Sequence, residues 1–313
     1  MTHAIYRFLV TFVAALALVA AAPAPTFAAE KSTQTTFKSA EQAMEAIAAA
    51  LAKDDMKTLR AMLGPDGEAI LNSGDPVEDK ETRQRFTTAY NEAHKIDLKG
   101  NTAWIVVGKD DWPMPIPVVQ GKDGWRFDTK AGREELLNRR VGRNELNTMQ
   151  AVLAYIDAQN EYYVRNPENA PLLHYAQKFV STKGKRDGLY FPTRAGEKVS
   201  PLGPLFDARH AAGAIQEDHG GKPGPYHGYL FRILKGQGKA APGGAYDYVV
   251  RGKMIGGFAV IAYPATYGNS GVMTFIANQD GVIYEKDLGA DTARLAQKIA
   301  RFDPDRTWKK RDK

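Results

Sequence analysis

The chain has 313 residues, 43% of them apolar and 25% charged, with a formal net charge of +6 and no cysteine. The missing cysteine excludes a disulfide framework, a thiolate zinc site and a thiol nucleophile. Charges of both signs are interspersed, which argues against nucleic-acid binding, and the mild basicity favours weak attraction to anionic headgroups or wall polymers.

The length suggests about two domains, and the elements fall out in chain order. Arg7 precedes an apolar run from Phe8 to Ala22, Pro23 and Pro25 end it, and Thr26-Phe27-Ala28 places small residues at −3 and −1. This is the layout of a secretory signal peptide cleaved near Ala28; the run is short for a membrane span of about 20 residues. The expected product is a periplasmic or secreted protein, not integral to the membrane. Residues 29–36 are polar and read as a disordered linker.

A domain over residues 37–138 follows. Ser39 and Gln42 form a capping box before a helix with Ala43, Ile47 and Leu51 on one face. Asp55 can cap a second helix that ends at Gly64-Pro65, and Asp75-Pro76 opens a third that runs to about Ala93. Strands are expected at 102–107, 116–120 and 124–128, with a turn at Lys122-Asp123-Gly124. Helices followed by a curved antiparallel sheet make an α+β layout resembling that of the nuclear-transport-factor type.

Residues 139–143 read as a hinge, because Gly142 sits among arginines and Asn144 can cap a helix over 144–165. The second domain, 139–313, would pack that long helix on an antiparallel sheet, again α+β. A short helix is expected over 172–179, a long loop over 181–225 with one helical turn near 207–214, and strands at 229–234, 246–250, 257–263, 272–278 and 282–285. Asp280-Gly281 is a hairpin signal. A last helix is expected over 291–300, before a solvated basic tail, Lys309-Lys310-Arg311.

Several segments carry a resemblance. Gly108-Lys109-Asp110-Asp111-Trp112-Pro113-Met114-Pro115-Ile116-Pro117, Trp125-Arg126-Phe127-Asp128-Thr129 and the stretch 138–146 are similar to a bacterial exported family known as domain of unknown function 2950. So are Lys185-Arg186-Asp187-Gly188-Leu189-Tyr190, Lys222-Pro223-Gly224-Pro225-Tyr226-His227-Gly228-Tyr229, Val272-Met273-Thr274-Phe275-Ile276 and the stretch 281–287. The resemblance implies export and brings no catalytic residues. The helix 144–165 with the strands after it also resembles the globular part of type IV pilin-like proteins, without their apolar N-terminal helix half.

Candidate chemistry is sparse. Gly268-Asn269-Ser270-Gly271 is similar to the nucleophile segment of chymotrypsin-like proteases, with His227 as the candidate base, but Val272-Met273 replaces the Gly-Pro that follows there, and a hairpin turn suits the segment better. His210, His219 and His227 fit no standard metal spacing, so neither metal nor cofactor is expected. Asp110, Asp111 and Asp128 could cluster as paired carboxylates, or serve strand ends and turns. The alternating prolines after Trp112 suit a sheet edge, or a lip with the indole as a stacking surface. Arg139, Arg140 and Arg143 could hold phosphate or carboxylate groups, or form a salt-bridge hub. Trp112, Arg139, Arg140, Arg143, Tyr226 and His227 are therefore the candidate ligand contacts. The expected function is non-catalytic binding or scaffolding, with an envelope polymer or envelope protein as partner; the alternatives are a Ser/His envelope hydrolase and a pilin-like assembly component.

Overall fold

The computed structural model describes residues 34–72, 76–204 and 224–311. Helix α1 (Ala40–Ala52) starts where the sequence says: the Ser39 hydroxyl accepts from Gln42 N at 3.2 Å, and the Gln42 side chain accepts from Lys38 N at 2.8 Å. Its Ala43, Met44 and Ile47 face is buried. Asp55 caps α2 (Met56–Leu63) by accepting from Thr58 N. A 3-10 turn at Pro65–Gly67, the short α3 (Glu68–Leu71) and α4 (Pro76–Glu92) complete the helical layer. Gln34 and Thr35, in the stretch expected to be disordered, are bonded: Gln34 Nε2 donates to Met62 O and Phe127 O, and Thr35 N to Ala61 O.

The first sheet is antiparallel, in the order β1 (His94–Lys99), β2 (Thr102–Val107), β4 (Val118–Gly121), β5 (Gly124–Phe127). A two-residue strand, β3 (Trp112–Pro113), also pairs with β2. Strand β1 was not expected, although Lys95-Ile96-Asp97-Leu98-Lys99 alternates polar and apolar residues as a half-buried strand does; its side chains lie at least partly in solvent, and Ile96 packs against the core. Ile47, Leu59, Ile105, Val118 and Phe127 lie in the core between helices and sheet.

The hinge expected at residues 139–143 is corrected by the structure. A single helix, α5 (Thr129–Arg165), runs 37 residues straight through it, about 55 Å at 1.5 Å per residue. Asp128 caps its start by accepting from Ala131 N, and Asn166, left-handed at φ 43°, ends it. Arginine is a good helix former and one glycine costs only about 1 kcal/mol, so a charged Gly-containing stretch that reads as a linker can stay helical. Its two ends are buried, at Thr129 and Gly132 and again from Thr148 to Tyr162. Every residue from 133 to 147 stays at least partly exposed.

The C-terminal half of α5 packs on β11 (Ala259–Pro264) and β12 (Met273–Asn278). These lie in an antiparallel sheet ordered β14 (Lys309–Lys310), β13 (Ile283–Asp287), β12, β11, β6 (Tyr229–Leu234). All six residues of β11 are buried, as expected for a strand covered on both faces. Helix α6 (Thr292–Lys298) packs against it, and Arg232 Nη2 donates to Ala296 O and Ile299 O at the end of that helix, each at 2.7 Å. The tail expected to be solvated is instead the edge strand β14, although its lysines remain exposed. The strand expected over 246–250 divides at the buried Tyr248 into β8 (Tyr246–Asp247), which pairs with β7 (Gly236–Gln237), and β9 (Val249–Val250), which pairs with β10 (Lys253–Met254). Tyr155, Tyr162, Tyr229, Phe258, Val260 and Phe275 belong to this second core, separate from the first.

The helix expected over 172–179 is absent; the segment after α5 is irregular. Its backbone groups are satisfied by side chains instead. Ala176 N and O bond the buried Gln159 amide, Ala170 N and O bond Asn166, and Ser181 exchanges bonds with Gly188. Arg165 donates to Val199 O and Lys198 O. Asp187 accepts from Thr182 N, Thr182 Oγ1 and Lys178 Nζ. Partial burial raises the proton affinity of Asp187, but the Lys178 ammonium and the Thr182 donors outweigh it and hold the carboxyl at about 2, below the usual 3.8. The expected turn near 207–214 lies outside the described residues.

A Cβ at Gly142 would meet nothing within 4 Å, whereas one at Gly132 would lie 2.8 Å from Ile116 Cγ1. Gly142→Ala is therefore expected to raise stability by about 0.5–1 kcal/mol, and Gly132→Ala to lower it by about 1–2 kcal/mol, both read from urea unfolding. A hinge at 142 would give no gain. Because the Asp187 carboxyl is depressed in the folded state, its contribution is complete above the unfolded value and lost as pH falls towards the folded one. Asp187→Asn should cost roughly 2 kcal/mol near neutrality, and the gap to the parent should close as pH is lowered from about 5 to about 2.

Candidate functional site

One face of α5 reaches two loops at its midsection. Arg140 donates to Asn269 Oδ1, and Asn144 Nδ2 donates to Ser270 O at 3.0 Å. Glu145 Oε1 accepts from Val272 N at 2.9 Å and Met273 N at 3.0 Å, holding the start of β12. Asn147 Nδ2 stands 3.4 Å from His227 Nδ1. Positions 140, 144 and 147 share one side of a helix by their +4 and +3 spacing.

The first loop is a tight turn. Tyr226 and Tyr229 exchange backbone bonds at 2.8 and 2.9 Å, and the two residues between them, His227 (φ 48°) and Gly228 (φ 75°), are both left-handed. Such turns favour Asn-Gly or Asp-Gly. Gly228 is also required sterically: a Cβ there would lie 2.8 Å from Ser270 Cβ and 2.9 Å from Asn144 Nδ2. The turn thus closes against α5 and the second loop together. Tyr229 Oη donates to Met273 O at 2.9 Å, and its ring occupies the space that a Cβ at Gly271 would need. Burial, with the Glu145 carboxylate beside it, pushes the Tyr229 phenol far above its ordinary value.

Ser270 is a turn residue in this arrangement. Its hydroxyl accepts from Thr266 N at 3.0 Å and donates to Thr266 O at 3.1 Å. The proton that a base would have to remove is engaged with a carbonyl, while His227 Nδ1 faces Asn147.

On the adjoining side of α5, Arg139 meets β3. Its guanidinium lies 5.2 Å from the Trp112 ring centroid, Nη1 donates to Pro113 O at 2.9 Å, and Nε donates to Glu135 at 2.7 Å. Strand β3 has β2 as its one strand neighbour among the described residues. Arg139 therefore caps a carbonyl on the sheet's open edge while the Trp112 indole stays 45% exposed. Arg143 is exposed and makes no ion pair or hydrogen bond among the described residues. The three aspartates do not act as one cluster: Asp111 pairs with Lys95 at 2.7 Å, and Asp128 caps α5. His210 and His219 lie outside the described residues, and no group of three potential metal ligands occurs among the described ones.

A further polar cluster, not signalled by the sequence, surrounds His174. His174 is nearly buried, with Nε2 2.9 Å from Lys253 Nζ and 3.5 Å from Glu168 Oε1, and the Tyr162 hydroxyl donates to Glu168 at 2.7 Å. A lone histidine after a proline-broken helix gives no periodic signal, and its partners come from three separate segments.

The family model described as "Protein of unknown function (DUF2950)" matches residues 34–311. The chain belongs to this family. No curated protein and no solved structure matches it. Within this DUF2950 chain, no helix among the described residues is long and apolar enough to cross a membrane.

Glu145 is the side chain on which the seam between α5 and the second loop depends most. Glu145→Ala leaves two partly buried N–H groups without their acceptor, an expected loss of about 2 kcal/mol in chemical denaturation. Glu145→Gln keeps an acceptor oxygen and should cost less than half of that. Equal losses would assign the effect to charge rather than to the two bonds.

Proposed function

We propose that this DUF2950 protein is an exported, non-catalytic component of the cell envelope, cleaved near Ala28, that binds an acidic envelope polymer along the middle of α5. The observation that carries the reading is the arrangement of Trp112, Arg139 and Arg143. An exposed indole is fixed by a stacked guanidinium, and a second, uncommitted guanidinium lies one helical turn away. Indole faces stack on apolar sugar faces and arginine forks match carboxylate or phosphate, so the pair suits a charged glycan. Arg140, Tyr226 and His227 flank it across the seam. We read residues 37–138 and 139–313 as two domains that share α5, with this surface at the join.

The mature chain is expected to co-sediment with acidic envelope polysaccharide in a salt-sensitive manner. Trp112→Ala and Arg143→Glu should each weaken that binding about tenfold, roughly 1.4 kcal/mol, with unfolding midpoints little changed. Undiminished binding by Arg143→Glu would reject the surface. Amino-terminal sequencing of protein from the periplasmic fraction should start at Ala29; intact Met1 in cytosolic protein would reject export.

The rival hydrolase reading needs Ser270 to release its proton towards His227, and the Thr266 carbonyl competes for that proton. A fluorophosphonate probe is expected to leave the protein unlabelled. Stoichiometric labelling that disappears in Ser270→Ala would replace binding by hydrolysis.

A further inference from the structure

A cavity of about 600 Å3 opens between α6, the strands β12 and β13, and the tail that leads into β14. Its volume lies in the range of small-molecule sites, about 300–1,000 Å3. Ile276 lies on its wall, and Leu288, Leu295, Ile299 and Trp308 converge on it while remaining partly exposed. Four large apolar side chains left incompletely covered in one concavity form a surface that water solvates poorly.

The charges around it are unequal in what they have left to offer. Each acid already holds a donor while keeping its charge: Asp287 accepts from Gly289 N at 2.7 Å and from the Tyr267 hydroxyl at 3.2 Å, and Asp303 accepts from Ala240 N at 2.8 Å. Arg301 is paired with Asp247 at 2.6 Å. Lys298 makes no ion pair or hydrogen bond among the described residues. Lys286 donates once, to Thr307 Oγ1 at 2.8 Å, with its ammonium 5.8 Å from the Trp308 centroid. An ammonium has three donors, so both lysines keep donors for a ligand. The Ala296 and Ile299 carbonyls at the C-terminal end of α6 accept from Arg232.

We infer that this cavity binds a small amphiphilic carboxylate, its apolar body against Leu295, Ile299 and Trp308 and its acid group at Lys286 and Lys298. The site is on elements different from the α5 surface and does not depend on that reading. The Trp308 indole supplies the readout.

Decanoate, decyltrimethylammonium and acetate are to be titrated into the mature protein, following indole emission and, in parallel, calorimetric heat. Decanoate should bind saturably, acetate not at all, and the cationic chain at least tenfold more weakly than decanoate. Leu295→Glu, which puts a like charge on the apolar wall, should abolish decanoate binding. Lys298→Glu, at an exposed position where folding is not at stake, should weaken it about tenfold, and Arg143→Glu on α5 should leave it unchanged. Equal binding of the two ten-carbon chains, no saturable decanoate binding, or binding indifferent to Lys298→Glu would each overturn the inference.

Discussion

Everything in this molecule hangs on a length of helix that has no core of its own. Residues 133–147 of α5 bury nothing fully, yet they remain helical between two separate hydrophobic clusters. Isolated helices of that length are marginal in water, so the stretch takes its order from its ends. Gly132 is pressed against Ile116 on one side, and Thr148, Ala151 and Val152 are embedded on the other. The Glu135–Arg139 pair at 2.7 Å adds support of only about 0.3–0.5 kcal/mol. What fixes the midsection is polar: Arg140, Asn144 and Glu145 reach across to the loop that carries Asn269, Ser270 and Val272.

That constraint explains why the arginines of α5 differ although they are neighbours in sequence. Arg139 lies over Trp112 and closes the edge of the first sheet, Arg140 turns towards the second body, and Arg143 is exposed without an ion pair among the described residues. A helix advances 100° per residue, so Arg140 is turned away from Arg139, whereas Arg143, four positions on, lies one turn along the same face with no partner among the described residues. Their availability to a ligand then follows from geometry, not from charge, which is the same for all three.

Local signals carried much of the fold. The Ser39–Gln42 box, β2 and the Asp280-Gly281 turn between β12 and β13 stand where the sequence puts them, because each is set by contacts within a few residues. Strand β1 alternates over only two apolar residues, one of them, Leu98, exposed, and α5 contains a linker-like stretch, so burial periodicity is weak for the first and misleading for the second. The irregular segment after α5 was illegible for another reason. Its order comes from Gln159, Asn166 and Asp187 bonding backbone groups, and a sequence does not announce which carbonyl a side-chain amide will find. The seam is harder still: Asn144 and Ser270 are 126 positions apart, and neither residue type signals the pairing alone. The one local hint was His227-Gly228, two left-handed residues in a row, of which only the glycine is obvious.

The first hydrophobic cluster draws its residues from 37 to 127, whereas the second needs Val152 at one extreme and Phe302 at the other. Phe302 N donates to Gly236 O, its carbonyl accepts from Gly238 N, and β14 follows as the outermost rung of the sheet. Whenever the polypeptide is delivered vectorially, amino end first, the leading body can therefore condense while the trailing one still waits for its last ten or so residues. Helix α5 would then emerge half-anchored, with its apolar stripe temporarily uncovered, and that interval is when the protein is most open to capture by a chaperone or a protease.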